Sequence, residues 1–172
     1  LSTDVFDEIE QVLRERADDP DVEGFVLTGY GPDAFSSGWE IDSFRDVLGE
    51  YDRSYEYARE CSELFAFIEG METPIVAALN GHVLGAGLEL VVRCHGIVAV
   101  AGTHLQFPEA TLGILPGIGG AVVPYRRWEE VPDATFSDML RFGERLSTDE
   151  AAELGVIDRL VSDHTSLVEA AV

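Results

Sequence analysis

Residues 80–90, NGHVLGAGLEL, and residues 107–117, FPEATLGILPG, are the two stretches from which the fold and the site of this chain can be predicted. Each places a glutamate, Glu89 or Glu109, beside a glycine turn that enters a predicted helix. The first turn of a helix leaves backbone N–H groups without acceptors, and the helix dipole favours negative charge there. The two stretches therefore predict one site, in which amides face a developing oxyanion while carboxyl groups transfer protons.

Predicted strands and helices alternate around these stretches. Short apolar runs predict buried strands at residues 25–28, 74–79 and 96–101, with a glycine- and serine-rich loop at 29–38. Capping signals predict a first helix that begins at Ser2 or Thr3, and a last helix that begins at the capping box at 147–150 and ends at Gly155. Helical spacing predicts further helices near 41–48, 54–69, 85–93, 119–128 and 134–142. In the 54–69 helix, the predicted buried face consists of Ala58, Cys61, Leu64, Phe65 and Ile68. This alternation favours a mostly parallel sheet covered by helices.

The composition is that of a globular protein with an unusually acidic surface. Of its 172 residues 46% are hydrophobic, yet 33 acidic residues face only 11 basic ones, for a net charge of −22. All the basic residues are arginine, and lysine is absent. Concentrated salt screens repulsion between like charges, so the composition predicts a protein from a halophile with a cytoplasmic location. The alternative is an acidic mesophilic protein that lacks lysine by chance.

Charge and residue usage also exclude several classes of function. The negative charge argues against nucleic acid and anionic membranes as partners, and the apolar stretch at 74–92 is interrupted by polar residues, which argues against a membrane span. Without lysine, the chain has neither a P-loop nor a Schiff-base nucleophile. Its two cysteines, Cys61 and Cys94, form no Cys-x-x-Cys pair, and no metal site is predicted.

Three segments together carry a resemblance to a known family. They are the strand and loop at 25–29 and 34–41, the GAGLE turn at 85–89, and PEATLGILPGIGG at 108–120. In this order and spacing, the chain from about Ser2 to Val161 resembles the crotonase superfamily, which is the enoyl-CoA hydratase and isomerase group. The resemblance implies an α/β, crotonase-like (ClpP/crotonase) fold, a repeated ββα superhelix with a mostly parallel sheet flanked by helices. It also implies one domain over residues 1–172 that lacks an N-terminal strand and part of the C-terminal helical region.

The resemblance further implies roles for individual residues. In the family a thioester carbonyl binds between two backbone N–H groups, which by position belong here to Trp39 and Ala86. Two glutamates that face one water match Glu89 and Glu109. The substrate-binding positions predicted in the same way are Ala34, Ser36, Gly38, Ile41, Gly85, Leu112 and Gly117.

The presence of both glutamates favours hydration of a 2-enoyl thioester to its 3-hydroxy product, because family members with one of them tend to catalyse other reactions. CoA is then part of the acyl-CoA substrate, and neither a metal nor a redox cofactor is expected. Two alternatives stay open: isomerisation or ring opening of an oxoacyl-CoA through the same enolate, which the unusual segment at 122–127 favours, and a non-catalytic assembly module of a larger chain. The resemblance also implies a homo-oligomer, a trimer or a dimer of trimers.

Overall fold

Two interleaved sheets form the centre of the structure, a computed structural model that describes residues 1–40 and 49–172, with only the backbone of Tyr57. The strands in this part are β1 (Phe25–Thr28), β2 (Ala34–Ser36), β3 (Ile75–Leu79), β4 (His82–Leu84), β5 (Gly96–Val100), β6 (His104–Gln106), β7 (Arg145–Ser147) and β8 (Arg159–Val161). The all-parallel sheet has the order β1-β3-β5-β8. The mixed sheet has the order β2-β4-β6-β7, in which only the β6–β7 pair is antiparallel. Successive strands up to β6 therefore enter the two sheets in turn.

Helices connect the strands and cover the sheets. Those in the described residues are α1 (Thr3–Arg16), α2 (Tyr51–Glu69), α3 (Ala86–Val91), α4 (Val123–Arg127), α5 (Asp133–Phe142), α6 (Thr148–Glu153) and α7 (Leu167–Ala171), with 3-10 turns at Pro108–Leu112 and His164–Ser166. Helix α1 begins where the Ser2 hydroxyl accepts a hydrogen bond from the N–H of Val5, and α6 begins where Ser147 accepts one from Glu150. Gly155, at φ +73°, follows the end of α6 in a conformation that favours glycine.

The central strands of the all-parallel sheet, β3 and β5, are covered on both faces. Side chains alternate along these strands, so that Leu79 and Ile97 enter the main core with Phe65 of α2, whereas Val98 and Val100 enter a smaller cluster under α7. A parallel strand that is covered on both sides carries an almost continuous apolar sequence, which explains why these strands can be read from the sequence.

Asn80 joins the two sheets at the point where the chain leaves β3. Its buried side chain accepts a hydrogen bond from the N–H of Gly29 at 2.9 Å and donates to the carbonyl oxygens of Gly31 and Ala34. A Cβ atom on the next residue, Gly81, would lie 2.3 Å from the carbonyl carbon of Asp33. The loop between β1 and β2 is therefore packed directly against the β3–β4 connection.

Most of the predicted elements are confirmed, with five corrections. Strand β1, predicted as buried, is half-exposed, because Val26 and Thr28 are exposed to solvent. The loop predicted at 29–38 contains β2, and the predicted helix at 119–128 is helical only over Val123–Arg127. Ala58 is exposed, although it was predicted on the buried face of its helix. The short strands β4, β6, β7 and β8 were not predicted. The helix predicted at 41–48 lies outside the described residues. None of the helices in residues 1–40 and 49–172 is long and apolar enough to span a membrane.

Candidate active site

Three neighbouring parallel strands of the mixed sheet each end in one segment of the predicted site. Strand β2 leads to Gly38, β4 to Gly85, and β6 to the 3-10 turn that contains Glu109. The carboxyl ends of parallel strands meet at one edge of a sheet, and ligands of open α/β sheets bind at that edge. The topology therefore brings together three segments that are far apart in the sequence.

The turns at Gly38 and Gly85 are in direct contact. Both glycines have positive φ, +96° and +54°. A Cβ atom on Gly38 would lie 3.2 Å from the carbonyl oxygen of Leu84 and 3.8 Å from the Cα of Gly85. Trp39 and Ala86, the two predicted amide donors, directly follow these glycines. Ala86 is the first residue of α3, so its N–H has no acceptor within the helix.

Ser36 supports both turns from beneath. Its buried hydroxyl accepts a hydrogen bond from the N–H of Gly38 at 3.1 Å, and a Cβ atom on Gly87 would lie 2.5 Å from the same oxygen. Ala34 lies two residues earlier, where its carbonyl accepts from Asn80. The structure thus places Ser36 and Ala34, both predicted to bind substrate, in the scaffold under the turns.

The Trp39 side chain anchors its turn to the first helix. Its ring stacks on Phe6 with centroids 4.8 Å apart and planes inclined by 17°. The indole is partly buried against the main core. The role predicted for Trp39 concerns its peptide N–H, which this stacking leaves in the turn beside Gly85.

Glu89 is a buried carboxyl group held by backbone amides. It is 3% exposed, and its Oε1 accepts hydrogen bonds from the N–H groups of Ile118 and Gly120, both at 2.8 Å. Burial raises the pKa of Glu89 above its usual value, and these two bonds and the charge of Arg93 offset only part of that rise. A carboxylate accepts two N–H donors better than a neutral acid does, so these contacts stabilise the ionised form against the effect of burial.

Glu109 is also buried, and a hydrogen bond from its own backbone N–H offsets only part of the effect of burial on its pKa. It is 8% exposed, and its Oε2 makes no hydrogen bond to any residue that the structure describes. Burial raises the pKa of Glu109 to about 7, and the negative charge of Glu89 contributes to the rise. The other oxygen, Oε1, would lie 2.9 Å from a Cβ atom on Gly85. The N–H of Glu89 donates to the carbonyl oxygen of Gly85, so both glutamates lie next to this glycine.

The remaining predicted substrate-binding positions in the described residues, Leu112 and Gly117, are exposed to solvent. Leu112, at the end of the 3-10 turn, is 59% exposed, and Gly117 is exposed as well. Within the described part of the chain, nothing lies within 4 Å of where a Cβ atom on Gly117 would be. Ile41 lies outside the described residues.

The amides of Ile118 and Gly120 are functional groups that the sequence analysis did not identify. A Cβ atom on Gly120 would lie 3.0 Å from Cγ of Glu89 and 2.7 Å from the Phe107 ring, so only glycine allows this approach. The glycine pair at 119–120 was the available signal, but it does not show which side chain comes close. This turn also explains why the predicted helix at 119–128 begins late, at Val123.

The interleaved sheets of mostly parallel strands define an α/β protein. Its candidate site consists of two buried carboxyl groups beside a pair of glycine turns. A profile of the enoyl-CoA hydratase/isomerase family matches residues 1–172. The chain belongs to this family.

Individual relatives agree with the family and with the predicted crotonase-like fold. A protein of Bacillus subtilis strain 168 described as a probable enoyl-CoA hydratase is 33% identical over 171 residues, an alignment that covers 99% of this chain and 64% of that protein. The structure of DspI from Pseudomonas aeruginosa matches with a TM-score of 0.88 at 28% identity, over 98% of this chain and 62% of that one. An enoyl-CoA hydratase from Bacillus anthracis gives 0.86 at 27% identity, over 99% and 64%. The chain therefore spans slightly less than two thirds of the length of these relatives, and the predicted fold class is confirmed.

Proposed function

We propose that this chain carries the active site of an enoyl-CoA hydratase, which adds water to a 2-enoyl-CoA thioester and gives the 3-hydroxyacyl-CoA. The observation that carries the proposal is the difference in hydrogen bonding between Glu89 and Glu109, two buried acids beside the turn at Gly85. Oε1 of Glu89 accepts two backbone N–H groups, whereas Oε2 of Glu109 accepts none from the described residues. Two carboxyl groups whose ionised forms are stabilised to different degrees can serve as a base and an acid in the same reaction.

Glu89 is the general base in this proposal. Its two amide donors favour the carboxylate, which can take a proton from water as the water oxygen bonds to the β-carbon of the substrate. The electrons of the carbon–carbon double bond then move toward the thioester carbonyl and form an enolate oxyanion. The N–H groups of Trp39 and Ala86 stabilise this oxyanion, and one such donor typically contributes about 3 kcal/mol to lowering the barrier.

Glu109 is the general acid. With its pKa raised to about 7, a large fraction of its carboxyl groups holds a proton at neutral pH. That proton is transferred to the α-carbon as the enolate collapses, which completes the addition of H and OH. Glu109 is then ionised and Glu89 protonated, and one proton passed from Glu89 to Glu109 through solvent restores the starting state.

A second candidate is double-bond isomerisation or ring opening through the same enolate. The raised pKa of Glu109 favours this second candidate, because one carboxyl group with a pKa of about 7 can carry a proton between two substrate carbons without help from Glu89. In a single-acid isomerase Glu89 holds the 118–120 turn and transfers no proton. The two candidates therefore differ in what the loss of the Glu89 carboxylate does.

The test is hydration of crotonyl-CoA by the chain in molar KCl, followed as loss of the absorbance of the conjugated thioester. Glu89→Gln and Glu109→Gln are each expected to lower kcat by about 10² to 10⁴ while leaving the affinity for a saturated acyl-CoA nearly unchanged. Glu130→Gln, which removes an exposed carboxylate, is the matched control and should retain full activity.

The outcomes separate the candidates. If the wild type does not hydrate crotonyl-CoA, and Glu89→Gln still isomerises an enoyl-CoA, the hydratase proposal is wrong and the second candidate is supported. If calorimetry detects no acyl-CoA binding at any salt concentration, the hypothesis of a non-catalytic assembly module is supported instead. Equal loss of binding and turnover in both glutamine variants would make the glutamates structural.

A further inference from the structure

Arg93 lies immediately beyond the helix that carries Glu89. Its N–H bonds to the carbonyl of Leu90 at 3.0 Å, so the helical turn continues past the end of α3. Residues four apart on a helix lie on the same side, which directs Arg93 and Glu89 to the same neighbouring segment. The Arg93 side chain is 13% exposed, a low value for an arginine in a chain with so few cations.

The turn at 118–120 is packed between these two side chains. Nη2 of Arg93 donates to the carbonyl of Ile118 at 3.3 Å, and a Cβ atom on Gly119 would lie only 2.4 Å from the same nitrogen. At the next residue, Gly120, a Cβ atom would lie 3.0 Å from Cγ of Glu89. One glycine thus accommodates the guanidinium and the next accommodates the carboxylate.

Glu69 fixes Arg93 from the opposite side. One oxygen of this carboxylate, at the end of α2, binds Nη1 of Arg93, and the other binds Arg126 of α4. The guanidinium of Arg93 therefore has one nitrogen on the ion pair and another on the turn. This arrangement fixes its plane, because the fork of an arginine has rigid geometry.

We propose that Arg93 is a positioning residue for Glu89: it holds the carbonyl of Ile118 so that the N–H groups of Ile118 and Gly120 stay directed at the carboxylate. For catalysis this inference rests on the proposed function, because a misdirected or protonated Glu89 cannot take a proton from water. The contact itself does not depend on the reaction.

The experiment compares Arg93→Met with Arg126→Met by NMR titration of the Glu89 side-chain carboxyl, assigned with Glu89→Gln. Both variants remove one arginine bound to Glu69, but only Arg93 touches the 118–120 turn. Arg93→Met is expected to raise the pKa of Glu89 by about 1, and Arg126→Met to leave it unchanged. The charge of Arg93 also lowers the pKa of Glu89 directly, so the pKa rise supports the positioning role only together with the amide titration described next. Glu109 and Cys61, which also interact electrostatically with Glu89, are the same in both variants.

A second readout follows the amide hydrogens of Ile118 and Gly120. In the wild type both should shift as Glu89 ionises, and in Arg93→Met this shared titration should be lost. In kinetics, the acid limb of the kcat profile should move up by the same amount as the pKa, with KM nearly constant. An unchanged pKa and unchanged amide titration in a folded Arg93→Met would overturn the positioning role.

Two controls keep the result decisive. If Arg93→Met does not fold, Arg93→Lys retains the charge but not the two-sided reach, and wild-type amide titration together with wild-type kcat in that variant would also overturn the proposal. Because the titrations need no turnover, a wild type that fails to hydrate crotonyl-CoA would count against the hydratase alone.

Discussion

The two sheets of this molecule differ in what they contribute. The all-parallel sheet contains the longer strands and fills two hydrophobic clusters, whereas every strand of the mixed sheet has three residues. The mixed sheet instead ends in the segments that hold Gly38, Gly85 and Glu109. Val83, Leu105 and Leu146 of the mixed sheet also enter the main core, but the candidate chemistry lies at the strand ends of this sheet. Substitutions in the core of the all-parallel sheet and at this edge should therefore have separable effects.

The largest expected effect is on the all-parallel sheet. Ile97→Ala in β5 removes a side chain that is 1% exposed, and the cavity should lower the free energy of unfolding by about 4 kcal/mol. The kcat of the molecules that remain folded should not change. Denaturant unfolding measures the first quantity, and Val12→Ala, at an exposed position of α1, should cost less than about 0.5 kcal/mol. A comparable loss of kcat in Ile97→Ala would break the separation between the sheets.

The corresponding change at the mixed sheet is Ala86→Pro. Proline is tolerated in the first position of a helix but has no N–H, so the fold should persist while one oxyanion donor is lost. We expect kcat to fall by about 10² to 10³, equivalent to about 3 kcal/mol. Ala86→Gly keeps the donor and is the control; if it loses as much activity as the proline variant, the amide is not the active group.

A smaller effect is expected where the scaffold supports the turns. Gly87→Ala places a methyl group 2.5 Å from the Ser36 hydroxyl, and the strain should cost about 2 kcal/mol of stability and lower kcat as well. Ser36→Gly, which removes the obstructing side chain, should recover part of both losses in the double variant. A double-mutant cycle measures this coupling, and strictly additive losses would show that the two residues do not press on each other.

The smallest effect concerns the cost of burying Glu109. Its pKa rises from the usual 4.5 to about 7, so the native state favours the protonated form, and the stability it contributes is lost as pH rises through 7. Glu109→Gln should therefore be more stable than the wild type above pH 7 by about 1 kcal/mol, after allowance for access of water to the carboxyl group. Below pH 4.5 the two proteins should unfold alike. Thermal unfolding across this range tests the sign.

The same contrast explains how much could be predicted from the sequence. The strands at 75–79 and 96–100 are buried runs of apolar residues, and the half-exposed strand at 25–28 begins with three apolar residues, so all three are visible without a structure. Three-residue strands carry too little periodicity, and β2 was therefore predicted as part of a loop. Ala58 was misplaced because alanine is as common on the outside of a helix as on its buried side.

The parts of the candidate site that depend on residue type could be predicted from the sequence. Glu89, Glu109 and the glycines at 38 and 85 could be selected from motifs, and the structure brings them to one strand edge. The amides of Ile118 and Gly120 could not, since every residue except proline offers an N–H and only the fold determines where it points. Arg93 was missed for the same reason, because its partners are a backbone carbonyl and a distant carboxylate.

The interleaving of the strands also has a kinetic consequence. Phe25 lies opposite Ile75, and Val98 lies opposite Arg159, so each pairing in the all-parallel sheet must close a long loop before it gains any contact. Proteins with such high contact order fold slowly. Because β2 and β4 lie within the segments that connect β1, β3 and β5, pairing in either sheet shortens the loop that the other must close, and we expect the two sheets to form together.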